Sequence, residues 1–229
     1  MDFQVFRIAF LLILSPFFAV LRAAPIVIGF LGGFVAHDNP VHYEVQLAHR
    51  LRSEYGAGVV VRTFENHRGD QALREVLRLL DADHNGTLSA QEKSSARIAI
   101  YGHSWGASEA VALARSLGRE RVPVMLTVQV DSVQKPFEDD ATIPSNVAEA
   151  VNFFQSEGLL HGRAEIHAAD RSRTQILGNF RIAYRERPVN CPGYSWFART
   201  FMKQHIEIES DPAVWGKVES LIRAKLLLG

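Results

Sequence analysis

A chain of 229 residues, 47% of them hydrophobic, is long enough for one domain with a full core and short for two. Basic and acidic side chains both number 25, so no charge excess points to a polyanionic partner, and no nucleic acid is expected. The single cysteine, Cys191, rules out an intramolecular disulfide.

The first two dozen residues stand apart. Ile8 to Leu21 is apolar but for Ser15 and Pro16, with Arg7 before it and Ala23-Ala24 after it. That layout predicts a secretory signal peptide over 1–24, followed by one domain over 25–229. The run falls short of the roughly 18–20 apolar residues a spanning helix needs, so no transmembrane domain is expected in the mature protein. A secreted or periplasmic location follows. Arg22, beside the expected cleavage point, leaves an uncleaved membrane anchor as the alternative.

Pro25 to Gly29 reads as a central strand entering a glycine-rich loop, Gly29 to Gly33, where backbone N–H groups could turn toward a ligand. Val41, Val45, Ala48 and Leu51 then mark a helix ended by Gly56, and Val59 to Phe64 the next strand. Leu73, Val76, Leu77 and Leu80 mark a second helix. Arg97 to Ile100 reads as a buried strand and Val124 to Val130 as another, with a helix between them carrying Ala110, Leu113, Ala114 and Leu117 at helical spacing. Strands alternating with helices predict an α/β fold, a parallel sheet covered on both faces. In such sheets ligands bind beyond the carboxyl ends of the strands.

Later elements are fainter. Val147, Val151 and Phe154 suggest a short helix, and strands are possible at Ala164–Ala168 and Phe180–Tyr184. The aromatic loop Cys191 to Phe197 either lines a pocket or roofs the core. Asp211 caps a last helix with Pro212 at its first position, and Val214, Val218, Leu221 and Ile222 form its buried face.

Gly102-His103-Ser104-Trp105-Gly106, between a strand and a helix, has the pattern of a nucleophile elbow. The turn is tight enough that flanking side chains would meet backbone, which explains both glycines. A serine hydroxyl needs a base, and the base needs an orienting carboxylate. Of nine histidines, His205 is favoured because it lies just before the last helix, where a loop could return it to the strand ends; His161 and His167 are alternatives. His103 adjoins Ser104 but is expected to point away from it. Asp131, closing the strand after the elbow strand, is the favoured acid and Asp170 the runner-up.

The order Ser104, Asp131, His205 and the elbow resemble an α/β-hydrolase of the lipase/esterase kind, from Pro25 to the C-terminus. The resemblance implies a single-domain hydrolase-like fold with Ser104 as nucleophile. It further implies oxyanion donors at the amides of Trp105 and of Phe30, the latter preferred to Leu31 although the usual His-Gly pair of that loop is missing. Residues His205 to Pro212 are similar to the family's catalytic-histidine loop.

A second motif is unrelated to hydrolysis. Residues 81–92 satisfy the twelve-residue EF-hand loop at each prescribed position. Asp81, Asp83, Asn85, the Thr87 carbonyl, Ser89 through water and a bidentate Glu92 would give Ca2+ its oxygens. A helix enters the loop, but only a short turn over Ala90–Ala96 leaves it, so one inserted structural site is expected. The whole predicts a serine hydrolase acting on a small-molecule or lipid ester or thioester through an acyl-enzyme. A non-catalytic calcium-dependent binding module and an acyltransferase are the rival readings.

Overall fold

The computed structural model describes residues 24–227; the expected signal peptide lies outside them except for Ala24. Eight strands occur in chain order: β1 Ile26–Leu31, β2 Val60–Glu65, β3 Ile98–His103, β4 Val124–Val130, β5 Thr142–Ile143, β6 Val147–Phe154, β7 His167–Ala168 and β8 Gln175–Arg181. The helices are α1 Tyr43–Tyr55, α2 Gly69–Leu80, α3 Ala90–Ser94, α4 Trp105–Arg119, α5 Trp196–Phe201, α6 Lys203–Glu209 and α7 Pro212–Leu227. Among the described residues no helix is long and apolar enough to cross a membrane.

Six strands form one sheet in the order β2-β1-β3-β4-β6-β8, and every neighbouring pair is parallel. The two-residue period of a strand sorts its side chains into two layers. Ile26, Ile28, Phe30, Ile98 and Ile100 pack against α2 and α4. Val27, Ala99, Tyr101, Leu126 and Val128 pack on the other face against α1 and α7. With both faces covered, the central strands read as continuous apolar runs. The fold is thus of the expected α/β class, a parallel sheet with helices on both faces.

Four local expectations change. Residues 147–154 are a strand, β6, rather than a short helix. The i, i+4, i+7 spacing of its large apolar residues is incidental, because a strand buried on both faces need not alternate. Its Val and Phe content favours the pleated state. The strand expected at Phe180–Tyr184 begins earlier, at Gln175, while that at Ala164–Ala168 shrinks to two residues paired with β5. Gly29 lies inside β1, not in a loop. A Cβ there would stand 2.5 Å from the ring of Tyr101, which crosses that gap to donate its hydroxyl to the Glu44 carbonyl at 2.8 Å.

The elbow depends on close backbone contact between layers. A Cβ on Gly106 would collide with the Phe30 carbonyl of β1, whereas Gly216 in α7 has open space around it. Gly106→Ala should therefore cost at least about 2–3 kcal/mol, as overpacking against a rigid backbone does. Gly216→Ala should add about 0.5–1 kcal/mol by restricting the unfolded chain. Urea denaturation midpoints of the two variants would decide, and equal effects would contradict this packing.

Candidate active site

Ser104 sits between β3 and α4 with φ 57° and ψ −127°, a backbone conformation L-residues rarely adopt. Such strain costs about 1–3 kcal/mol and lifts the side chain clear of the strand end. The His205 Nε2 lies 2.9 Å from the Ser104 Oγ, and the His205 Nδ1 lies 2.6 Å from the Asp131 Oδ2. An ionised carboxylate only accepts, so the proton is on Nδ1, and Nε2 is left to accept from the serine hydroxyl. Three residues 27 and 74 positions apart in sequence thus meet at the carboxyl ends of the strands.

Asp131 is fully buried, and its backbone also has positive φ, 45°. Besides His205, it accepts from the Gln155 amide at 3.0 Å, the Gln155 Nε2 at 2.9 Å and the Gly162 amide at 2.8 Å. Burial alone would raise its pKa, but the hydrogen bonds from His205 and Gln155 hold it below the ordinary aspartate value. Gln155 carries no motif that announces it; it is simply the residue immediately after β6. Asp170 instead accepts from the Ser172 amide and hydroxyl in a surface turn. His167, in β7, pairs with the Thr142 hydroxyl of β5, and His161 is exposed.

His205 arrives on a helix, α6, not on a loop. The alternation of Ile206 and Ile208 with Glu207 and Glu209 suggests extended chain, yet all five residues from His205 to Glu209 are buried in helical form. His103 also departs from expectation. Its ring packs on that of His205 with centroids 4.5 Å apart, and its Nε2 lies 3.2 Å from the His205 carbonyl. Beside it, Glu209 is one helical turn from His205, and Glu44 and His42 approach from α1. Burial pushes the His103 pKa down to about 4 and holds Glu44 above the ordinary glutamate range, with the charge of Glu209 adding to the latter. The sequence carries no spacing signal for this cluster until α6 is known to be a helix.

Trp105 is the first residue of α4, where an amide has no partner within the helix. Phe30 is the fifth residue of β1. It is paired with Phe64 and Gly102 inside the sheet and its ring packs on Phe64 in the core. The turn after β1 comes closer, since a Cβ on Gly32 would stand 2.9 Å from the Ser104 Cβ. A cavity of about 480 Å³ opens beside Ser104, walled by Gly32, Phe34, Leu160, Met202 and Ile206 among others. Tyr194 of the aromatic loop lines it too, whereas Trp196 is 70% exposed.

The 81–92 loop lies on the surface between α2 and α3. Asp81, Asp83 and Glu92 each bring a carboxylate oxygen within 4.8 Å of the others. The Gly86 amide donates to Asp81 at 2.9 Å, with φ 83° at Gly86 allowing the bend. Glu92 accepts from the Ala82 and Ser89 amides and the Ser89 hydroxyl, which lower its pKa, the Ser89 bonds most. Asn85 bonds the Thr87 amide and hydroxyl, and Leu88 turns back onto the core. The exit helix α3 is five residues long.

No protein-family model and no curated protein matches the chain. Solved structures of similar overall shape include RedJ with a polyethylene glycol in its active site, over 96% of both chains at 10% identity and TM-score 0.45. Human thioesterase 2 aligns over 89% of this chain and 96% of its own at 11% identity and TM-score 0.47. A thermostable esterase from Pseudomonas putida aligns over 90% and 76% at 14% identity and TM-score 0.48. At such scores the fold class and the site rest on the chain's own geometry.

The lowered pKa of Asp131 makes stability depend on pH. Its contribution is present above the unfolded aspartate value of 3.8 and is lost as pH falls through the lower folded value. Asp131→Asn lacks that contribution at every pH. The melting-temperature gap between the wild type and Asp131→Asn should therefore narrow from pH 6 to pH 3 in scanning calorimetry. A constant gap would mean that the folded carboxyl titrates like an unfolded one.

Proposed function

We propose that the protein is a serine hydrolase cleaving a carboxylic ester or thioester by an acyl-enzyme route. The observation carrying this reading is the hydrogen-bonded series Ser104, His205, Asp131, with its serine on a strained turn at the edge of a cavity. His205 takes the hydroxyl proton as Ser104 attacks the acyl carbon, and returns it to the leaving alcohol or thiol. Asp131 holds the imidazole in the required tautomer and stabilises its cation. The tetrahedral oxyanion is met by the Trp105 amide and by a backbone amide of the Gly32–Phe34 turn, in place of Phe30. Water then repeats the sequence on the acyl-enzyme. The apolar walls contributed by Phe34, Leu160, Met202 and Ile206 favour a hydrophobic acyl chain.

A fluorophosphonate should label Ser104, and p-nitrophenyl esters of graded acyl length should be turned over. Ser104→Ala and His205→Ala should each lower kcat by roughly 10⁴-fold or more, since such residues act as one unit. Asp131→Asn should also act mainly on kcat, by up to about 10⁴-fold. Undiminished turnover in His205→Ala would remove the assigned base.

We further propose that residues 81–92 bind one structural Ca2+ through Asp81, Asp83, Asn85, the Thr87 carbonyl, Ser89 by way of water, and Glu92. The converging carboxylates and the bend at Gly86 support this. The ion would relieve the repulsion among three carboxylates and tie the end of α2 to the start of the chain entering β3. At ten times its dissociation constant, a ligand adds about 1.4 kcal/mol. Returning Ca2+ to the chelator-treated protein should raise Tm by a few degrees in the wild type and not in Glu92→Gln. Equal Tm with and without Ca2+ in the wild type would refute the site.

A further inference from the structure

Beside the serine, on the face of the sheet covered by α1 and α7, lies a second polar cluster that the hydrolytic reading does not use. His42 hydrogen-bonds the Glu209 Oε1 through its Nδ1, and the Tyr194 hydroxyl lies 3.4 Å from the same nitrogen. The Glu209 Oε2 is 3.3 Å from the His103 Nδ1, and the Glu44 Oε1 is 3.9 Å from it. His42, Glu44 and Glu209 each offer a ligand atom within 4.8 Å of the other two.

The donor count does not close. The His205 carbonyl only accepts, so the His103 Nε2 must donate to it. That orients Nδ1 toward two carboxylates. Among the described residues neither oxygen of Glu44 has a hydrogen-bond partner, and neither does the His103 Nδ1, although Glu44 is fully buried and His103 is 2% exposed. Two buried carboxyl groups facing one another are costly unless one keeps its proton, as Glu44 does, and a cation between them would take that proton's place.

We propose that His42, Glu44 and Glu209, with His103 beside them, hold a divalent cation of the zinc class. Mixed imidazole and carboxylate donors suit such an ion. Bonds of about 2.0–2.2 Å place tetrahedral ligand atoms roughly 3.3–3.6 Å apart, and the present atoms, all within 4.8 Å of one another, need only side-chain adjustment to reach that spacing. An outer partner stands ready at His103, whose Nε2 donates to the His205 carbonyl. Entry is open, because His42, His103 and Glu209 line the cavity. Glu209 and His205 are four residues apart on α6, so the ion pins the helical face that presents His205.

Co2+ is the probe, added to metal-free full-length protein and followed by visible absorption and calorimetry. One equivalent should bind with the intense band of a low-coordinate nitrogen–oxygen site, and Zn2+ should displace it. Binding should persist in the double variant Asp81→Asn/Glu92→Gln, which removes carboxylate ligands from the surface loop. Glu44→Gln and His42→Gln should each weaken it by more than about ten-fold, the loss that even an outer partner can cause. Wild-type protein without such a band, or a band lost with the surface loop, overturns the proposal. So does a band unchanged in folded Glu44→Gln. If Glu44→Gln or His42→Gln does not fold, the wild type and the loop double variant still decide. The readout is metal binding, so it stands or falls apart from ester turnover.

Discussion

The architecture depends on one contact between backbones, where the first turn of α4 lies against the end of β1. Gly106 meets the Phe30 carbonyl, and Gly102 in turn faces the Gly106 carbonyl. No side chain fits at either place. The chain can pass from β3 into α4 only by turning at once, and the residue that turns, Ser104, takes a left-handed φ. A strain of about 1–3 kcal/mol is sustained because α4 buries Val111, Leu113 and Leu117 against the sheet. Each such burial contributes about 1.5–3 kcal/mol, so the helix cannot relax outward to relieve its first residue.

From that fixed serine, the partners come from separate elements. Asp131 extends β4, the strand beside β3, so sheet register sets its distance from Ser104. His205 has no such guarantee, since α6 is only seven residues long. Its position is imposed by side chains: Asp131 at one ring nitrogen, the ring of His103 on its face, and Glu209 one turn later among His42, His103 and Glu44. This short helix is held by the burial of Ile206 and Ile208 together with the polar contacts of His205 and Glu209.

Legibility followed the physics of each element. The elbow, Asp131 and the capped helix α7 were readable because each rests on local chemistry: two glycines around a serine, a polar residue closing an apolar run, and Asp211 accepting from the Ala213 amide at 2.8 Å. β6 was misread because burial on both faces erases alternation and leaves spacing that fits a helix equally well. Gly29 suggested a ligand loop, but its missing side chain serves the Tyr101 ring, a neighbour 72 positions later. The same long-range logic hid Gln155 and the glutamates around His103. A buried carboxylate is identified by its surroundings, and those are assembled only in three dimensions.

The strand that delivers the serine is therefore bounded by two acidic clusters of opposite kind. At its entrance the 81–92 loop presents carboxylates to solvent, where water screens them and an ion would be exchangeable. At its exit Glu44 and Glu209 are buried beside α1 and α6, where the local dielectric is low and charge must be paired or neutralised. Looseness at the entrance reaches Ser104 only through the length of β3, which the neighbouring strands hold on both sides. Looseness at the exit acts on the ring of His103 and hence directly on His205. The order of the site thus depends more steeply on the buried cluster than on the exposed one, although the exposed loop carries the plainer motif.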